Sequence, residues 1–338
     1  MNPRSLSHLG IALASIALVS MPAYAQAPAA TKSTTSGGHA IPRTADGHPD
    51  MQGYWTNATY TPFERPAEFK DKEFFTAEQA EAYAKRAIER FLAQPEDEAH
   101  YDNSIWMSEK TQKGVTTLRT SIVVDPPDGK MPPVNAEGKK RADERAAARR
   151  LIGAYDSAQS RGLSERCIYW AHEGPPILPT GYNSNLQIWQ APSTFVVIPE
   201  MMPAARVVPL DGRPHVSEAI RTLHGDSRGW WDGDTMVVET TNFTDRTAFR
   251  GSSQYLKVTE RFTMIDAETI RYQFTIDDPH TWDVAWKGEY PMQRISGPIG
   301  EYACHEGNYG MPNILHAQRV AEEEAAKAKK AAAPSSQQ

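Results

Sequence analysis

The sequence has little cysteine and lacks the short motifs that identify several large enzyme classes. Two cysteines occur among 338 residues. There is no GxSxG nucleophile elbow, no glycine-rich phosphate loop, no HExxH helix and no dinucleotide fingerprint. These absences argue against most nucleotide-dependent enzymes and serine hydrolases, and nothing in the sequence calls for an organic cofactor.

Long apolar segments are also scarce, and after the first 25 residues none approaches the roughly 20 apolar residues that a membrane helix needs. At the start, Arg4 precedes an apolar run from Leu9 to Met21, and Ala23 and Ala25 give the small-x-small form of a cleavage site. We therefore predict a signal peptide at 1–25 and a periplasmic or secreted mature chain with no membrane span. An uncleaved anchor is the alternative.

Basic residues do not dominate the charge, since 36 Lys and Arg face 42 Asp and Glu for a net charge of −6. A nucleic-acid-binding protein needs a basic stripe, so nucleic acid is excluded as a partner. We expect a small-molecule ligand or substrate instead. The sequence indicates no particular oligomeric state.

The two cysteines, Cys167 and Cys304, both follow the predicted signal. Export removes the glutathione that would keep them reduced, so we predict that they form a disulfide. In the chain-entropy model this bond stabilises the fold by roughly 4 to 5 kcal/mol. A metal thiolate or a nucleophile is the alternative, although neither cysteine belongs to a CxxC pair.

The composition divides the mature chain into four segments. Residues 26–39 are small and polar and are predicted to be a disordered linker. Residues 40–160 are predicted to be an irregular and helical cover, in which Thr76 and Gln79 form a capping box that starts a helix. Within this cover, 120–124 are predicted to be a strand that the turn at 126–129 ends, and 136–152 suit an exposed charged helix. Residues 161–311 form the β domain, and 312–338 are predicted to be a C-terminal helix and a disordered tail.

A period of two dominates from Leu186 onward, which is typical of strands. The segment from Ile270 to Asp277 alternates apolar and polar side chains, and short turns such as the one at 232–234 join successive strands. Short connections imply antiparallel pairing. We predict a mainly β fold, an antiparallel meander of seven or eight strands that closes into a calycin-like barrel. A sandwich is the alternative.

The predicted disulfide singles out two histidine–glutamate pairs. His305 and Glu306 directly follow Cys304, and His172 and Glu173 lie five and six residues after Cys167. The bond would bring the two pairs together, and imidazole and carboxylate groups suit acid–base chemistry. We predict that these four residues are catalytic.

Glu260 has the same parity as Val258 and Phe262 in its strand. If that face is the apolar one, the carboxylate points into the interior, where desolvation suits it to act as a buried base. The alternatives are a salt bridge to an arginine of a neighbouring strand or an outward-facing strand.

A second group of polar and aromatic residues gathers near strand ends. Paired guanidiniums bind anionic groups, and aromatic rings line ligand pockets, so the predicted substrate-binding residues are Arg221, His224, Asp226, Arg228, Trp231 and His280. The alternative is an arginine–aspartate network that pins a loop. No two histidines have the local spacing of a zinc site, so no metal is predicted.

Several longer stretches resemble a poorly characterised family of exported bacterial proteins. The resemblance extends through nearly the whole mature chain and rests on 43–55, 119–129, 209–215, 225–243 (GDSRGWWDGDTMVVETTNF), 258–262 (VTERF) and 302–309 (YACHEGNY). It implies export and the segment boundaries given above. It implies no reaction.

Two functions fit these observations. The first is an exported, cofactor-independent enzyme, a lyase, hydratase, isomerase or hydrolase, that applies His and Glu acid–base chemistry to a hydrophobic, aromatic or sugar-derived small molecule in the barrel. The second is a non-catalytic periplasmic binding protein that holds a lipophilic or aromatic ligand there. The presence of both acid–base pairs and arginines favours the enzyme.

Overall fold

The β-rich sequence folds into a ten-stranded antiparallel sheet in the computed structural model. The structure describes residues 40–93, 117–180, 183–202, 204–247 and 249–332. The strands are β1 (Gly53–Thr56), β2 (Val123–Asp125), β3 (Asn185–Ala191), β4 (Thr194–Pro199), β5 (Arg206–Pro209), β6 (Asp226–Asp232), β7 (Thr235–Thr241), β8 (Lys257–Asp266), β9 (Thr269–Asp277) and β10 (Trp286–Ile295). The mainly β prediction is confirmed.

The strand order explains how the sheet curves into a barrel. It runs β5-β4-β3-β1-β10-β9-β8-β7-β6, with β2 paired to β10 off this path. The two end strands, β5 and β6, lie next to each other, and an added Cβ on Gly229 would approach Val208 to 2.8 Å. The sheet is therefore a nearly closed barrel, and the predicted sandwich alternative does not apply.

One strand was not predicted from the sequence. β1 lies between β3 and β10, with Tyr54 opposite both Gln187 and Ile295. The sequence predicts irregular and helical cover in this part of the chain. Four residues are too few to show a period of two, so only the tertiary pairing identifies this strand.

Large aromatic side chains fill the interior of the barrel. Residues exposed by 2% or less include Trp55, Trp282, Trp286, Tyr272, Tyr290, Phe195, Phe262 and Phe274. Burial of an aromatic side chain contributes several kcal/mol of apolar stabilisation, so this cluster is a main source of stability. It also leaves little room in the barrel for the ligand that both predicted functions placed there.

The described part of the chain contains three α-helices outside the sheet: α1 (Ala77–Leu92), α2 (Ala136–Arg150) and α3 (Gly310–Ala332). The predicted capping box is present, since Thr76 accepts a hydrogen bond from the Gln79 amide at 3.2 Å and Gln79 Oε1 accepts one from the Thr76 amide at 3.1 Å. None of the described helices combines the length and apolar character needed to cross a membrane.

Several predictions concern the two ends of the chain. The predicted signal peptide, the predicted linker at 26–39 and residues 333–338 of the predicted tail lie outside the described residues. The predicted disulfide is confirmed: Cys167 and Cys304 are bonded, with their Cα atoms 5.8 Å apart. A disulfide is compatible with an extracellular protein.

Candidate functional site

A buried carboxylate holds a half-exposed imidazole at one end of the barrel. Glu173 Oε2 lies 3.0 Å from His224 Nε2, and the two side chains are 3% and 30% exposed. The other carboxylate oxygen accepts a hydrogen bond from the Trp170 amide at 2.9 Å. Burial raises the pKa of Glu173, and the hydrogen bond and charge of His224 partly offset this. We call these two residues the Glu173–His224 pair.

Local sequence explains where His224 lies. It precedes β6, and the next residue is Gly225, whose φ is +72°. A Cβ there would meet the Thr241 carbonyl oxygen at 2.5 Å, so the turn that presents His224 requires glycine. The Tyr169 ring packs against the imidazole at 5.1 Å, edge to face. Among the described residues, Nδ1 of His224 has no hydrogen-bond partner.

A second network lies deeper in the barrel. The Arg206 guanidinium pairs with Glu260, donating from Nη2 to Oε1 at 2.9 Å and from Nη1 to Oε2. Tyr272 donates its hydroxyl proton to Glu260 Oε1 at 2.7 Å and accepts a hydrogen bond from the Ile177 amide at 2.9 Å. Burial raises the pKa of Tyr272 well above its usual range, and the Glu260 charge adds to this effect.

The hydrogen bonds of this network show that the Glu260 side chain points into the barrel interior. Its side chain is fully buried, as the parity argument predicts, within the alternating pattern of β8. The partner is an arginine from β5, which is not adjacent to β8 in the sheet, so the ion pair crosses the interior. The carboxylate is enclosed and bonded on both oxygens, an arrangement that favours the salt-bridge alternative over a base in contact with substrate.

Two clefts flank the Glu173–His224 pair. The first, which we call the arginine cleft, has a volume of about 380 Å³ and is lined by Ala204, Arg206, Arg213, His224, Asp226 and Arg228, among others. The second, the disulfide cleft, has a volume of about 340 Å³, and its lining includes Ile168, Glu173, Met202, Ala204, Tyr302 and the Cys167–Cys304 bridge. Ala204 lines both clefts, which places the pair between them.

The disulfide brings three of the four residues of the two histidine–glutamate pairs to one cleft, as the sequence predicts, but not His172. Glu173, His305 and Glu306 all line the disulfide cleft. His305 and Glu306 are exposed, however, and the imidazole that Glu173 contacts is His224. His305 and Glu306 therefore belong to the outer wall of the cleft and not to its centre.

His172 lines a different cavity from the cleft that His224 lines. Together with Asn185 it lines a cavity of about 20 Å³, room for roughly one water molecule. Burial lowers the pKa of His172, and the Arg250 charge lowers it further. The structure does not bring His172 into contact with His305 or Glu306.

Asp226 and Arg228 form a network in the wall of the arginine cleft. Arg228 Nη1 donates to Asp226 Oδ1 at 2.8 Å, and His215 Nδ1 lies 2.9 Å from Asp226 Oδ2. Arg228 Nε donates to the Pro214 carbonyl at 2.9 Å. These bonds pin the loop before β6, as the alternative interpretation of this cluster states, while both side chains still line the cleft.

The remaining predicted substrate-binding residues lie away from the pair. Arg221 Nη1 donates to the Gln254 carbonyl at 2.6 Å, and His280 Nδ1 lies 2.8 Å from Glu137 of α2. Trp231, near the far end of β6, stacks on His48 with ring centroids 4.3 Å apart. Their contacts hold loops and α2 against the barrel, so these three residues do not join the site.

Sequence reasoning missed three residues that shape the site, namely Tyr169, Arg206 and Arg213. Tyr169 packs against the His224 ring, and burial together with the Glu173 charge raises the pKa of Tyr169. Arg206 begins a short strand with apolar residues on both faces, so the sequence does not show whether its side chain points inward or outward.

No group of three or more potential metal ligands is found among the described residues.

Comparison of the chain with protein-family models, with curated proteins and with solved structures finds no match. The resemblance to exported bacterial proteins therefore stays a prediction.

Proposed function

We propose that this protein is an exported, cofactor-independent enzyme in which His224, held by Glu173, is the acid–base catalyst for a small molecule bound between the two clefts. The observation that carries this proposal is the 3.0 Å contact between a carboxylate 3% exposed and an imidazole 30% exposed. A buried carboxylate that orients a partly exposed imidazole is the arrangement by which enzymes fix one tautomer and stabilise the imidazolium.

The tautomer follows from the hydrogen bonds. With Glu173 ionised, Nε2–H donates to Oε2, which leaves the lone pair on Nδ1. That nitrogen takes a proton from a substrate C–H or O–H group or from a water molecule, and the resulting imidazolium is stabilised by the Glu173 carboxylate. The imidazolium exchanges its proton with solvent and then delivers a proton to another atom of the substrate or to the leaving group, which completes an isomerisation, elimination, hydration or hydrolysis.

The neighbouring residues hold the pair in place. The Trp170 amide fixes one carboxylate oxygen, and the Tyr169 ring covers one side of the imidazole. The disulfide ties the segment 301–306 to Cys167 and so closes the wall beside Glu173. A periplasmic or secreted location suits a site with a disulfide in its wall, because reduction would open that wall.

A non-catalytic binding protein is less well supported, because the barrel interior is filled with aromatic side chains. A ligand store needs an apolar cavity, whereas an imidazole oriented by a buried carboxylate serves proton transfer.

The proposal is tested by isotope incorporation, which needs no prior choice of reaction. The oxidised protein is incubated with a panel of aromatic, aliphatic and sugar-derived compounds in D₂O or in H₂¹⁸O, and products are read by mass spectrometry. We expect His224→Gln to lower turnover at least 100-fold and Glu173→Gln to lower it by a similar factor. Melting curves confirm that the variants fold.

The matched control is His280→Gln, which changes a partly exposed histidine that contacts Glu137 and lines neither cleft. We expect it to lose less than threefold. If His305→Gln abolishes turnover and folded His224→Gln retains it, the assignment of His224 is wrong. If the unaltered protein exchanges no isotope with any compound but retains a ligand on native mass spectrometry, the binding-protein alternative holds.

A further inference from the structure

The arginine cleft has more N–H donors than free hydrogen-bond acceptors. The hydrogen bonds of Arg213 use Nε and Nη2, and those of Arg228 use Nε and Nη1, so Nη1 of Arg213 and Nη2 of Arg228 have no acceptor among the described residues. Nε of Arg206 is buried without an acceptor. The acceptors nearby are already used: Asp226 Oδ1 binds Arg228, and Asp226 Oδ2 contacts His215 and the Val216 amide. The cleft thus offers N–H donors and calls for a ligand group that only accepts, such as a carboxylate.

Arg213 is the guanidinium most available to a ligand. Its partner is Asp211, two residues away, and the two side chains are 61% and 36% exposed. An exposed pair of this kind contributes little to stability, so a ligand anion can share Arg213 at small cost. Arg228, by contrast, is only 14% exposed and is held in position by its other contacts.

The disulfide cleft has the opposite character. Ile168, Met202 and Tyr302 supply apolar surface, and the ionisable side chains in its wall are Glu173, Glu301, Glu306 and His305. Among its described lining residues there is neither an arginine nor a lysine. Carboxylates at its rim repel an anionic group, so an anion entering the site turns towards the arginines and leaves its apolar part in the disulfide cleft.

We infer that the substrate is a small amphipathic anion, with a carboxylate-like head on Arg213 and Arg228 and an apolar body against Ile168, Met202 and Tyr302. This inference rests on the proposed function and names the substrate class of that same site. A ligand that spans both clefts must pass Ala204, which lines each of them. Its middle atoms then lie beside the Glu173–His224 pair, one to a few bonds from the anionic head.

The test compares matched triplets in which one apolar body, phenyl, naphthyl or octyl, carries a carboxylate, a neutral amide or an amine. Titration calorimetry on His224→Gln, which avoids turnover, gives each Kd. We expect each carboxylate that fits to bind at least tenfold more tightly than its amide, and the amine to bind most weakly. We also expect the preference to shrink as NaCl rises from about 20 to 300 mM, because the guanidinium of Arg213 is exposed.

Two further variants locate the head and the body. In the same background, Arg213→Gln should weaken carboxylate binding about five- to tenfold and leave amide binding unchanged, and Ala303→Trp should exclude the naphthyl body by filling the disulfide cleft. Arg261→Gln is the control, since Arg261 belongs to an exposed ion pair with Asp232 outside both clefts.

Equal or tighter binding of the amides, no effect of Arg213→Gln, or no binding by any carboxylate of the panel would each overturn the inference. These results are distinguishable from failure of the proposed function, which is read from isotope incorporation. If His224→Gln abolishes incorporation while carboxylates show no preference, the enzyme assignment stands and the substrate class is wrong.

Discussion

The buried ion pair between Arg206 and Glu260 makes the sharpest prediction about stability. Glu260 is 0% exposed and Arg206 8% exposed, and the carboxylate accepts hydrogen bonds from two guanidinium nitrogens and from the Tyr272 hydroxyl. Glu260→Gln keeps the shape and an acceptor for Tyr272 but leaves the arginine charge without its counter-charge. We expect a loss of about 3 to 5 kcal/mol in the free energy of unfolding.

Removal of both charges should cost much less. In Arg206→Met with Glu260→Gln, no buried charge remains, and the glutamine can still accept the Tyr272 proton. Replacement of a buried pair by neutral groups of similar volume is often close to neutral, so we expect the double variant to lose about 1 to 2 kcal/mol. The two single changes would then be strongly non-additive.

The assay is equilibrium urea unfolding of the oxidised protein, followed by circular dichroism and tryptophan fluorescence. For a chain of this size, 3 to 5 kcal/mol corresponds to a fall in Tm of about 5 to 8 °C. The exposed pair of Arg261 and Asp232, at 2.7 Å, is the control, and its removal should cost under about 1 kcal/mol. Additive single variants, or a cost for Glu260→Gln no larger than that of the control, would refute the reasoning.

Three further expectations follow from the same structure. Replacement of Cys167 and Cys304 by serine should lower the unfolding free energy by about 4 to 5 kcal/mol, because the bond closes a loop with a sequence separation of 137; equal urea midpoints with and without the bond would contradict this. The pKa of His172 is lowered, so the unfolded chain binds a proton that the folded chain does not, and stability should fall as pH drops below about 6.5. His172→Gln should flatten that slope in urea titrations at pH 7.5 and 5.0, and an unchanged slope would count against it. Gly288→Ala should cost about 1 to 3 kcal/mol by thermal melting, since its Cβ would meet the Phe274 ring at 2.2 Å; a neutral result would mean that the ring moves freely.

Much of the fold was accessible from the sequence because strands leave a period of two. The alternation in β8 and β9 predicts both strands, their short connection and the inward direction of Glu260. The insertion of β1 between β3 and β10 was not accessible, because pairing between distant segments is decided by how the sheet closes. Local pattern therefore gives the strands but not the complete order.

The site was less accessible than the fold. Glu173 and His224 were both predicted, but in different groups, since 51 positions separate them and no periodic element joins them. The predicted disulfide correctly places Glu173 in the same cleft as His305. The imidazole in contact with Glu173, however, is that of His224. A covalent bond fixes which segments approach each other, whereas the direction of each side chain depends on the backbone of its own loop.

Arg206 connects the stability of the barrel to the geometry of the site. It belongs to β5, an end strand of the sheet, and its ion pair ties that strand to β8 across the interior. The same residue lines the arginine cleft, and Ala204 lies two positions before it. Loss of the ion pair should therefore loosen the cleft as well as the fold. A fall in turnover at Glu260→Gln identifies a catalytic role only if urea unfolding shows that β5 remains docked, so the stability measurement has to precede any kinetic interpretation of this residue.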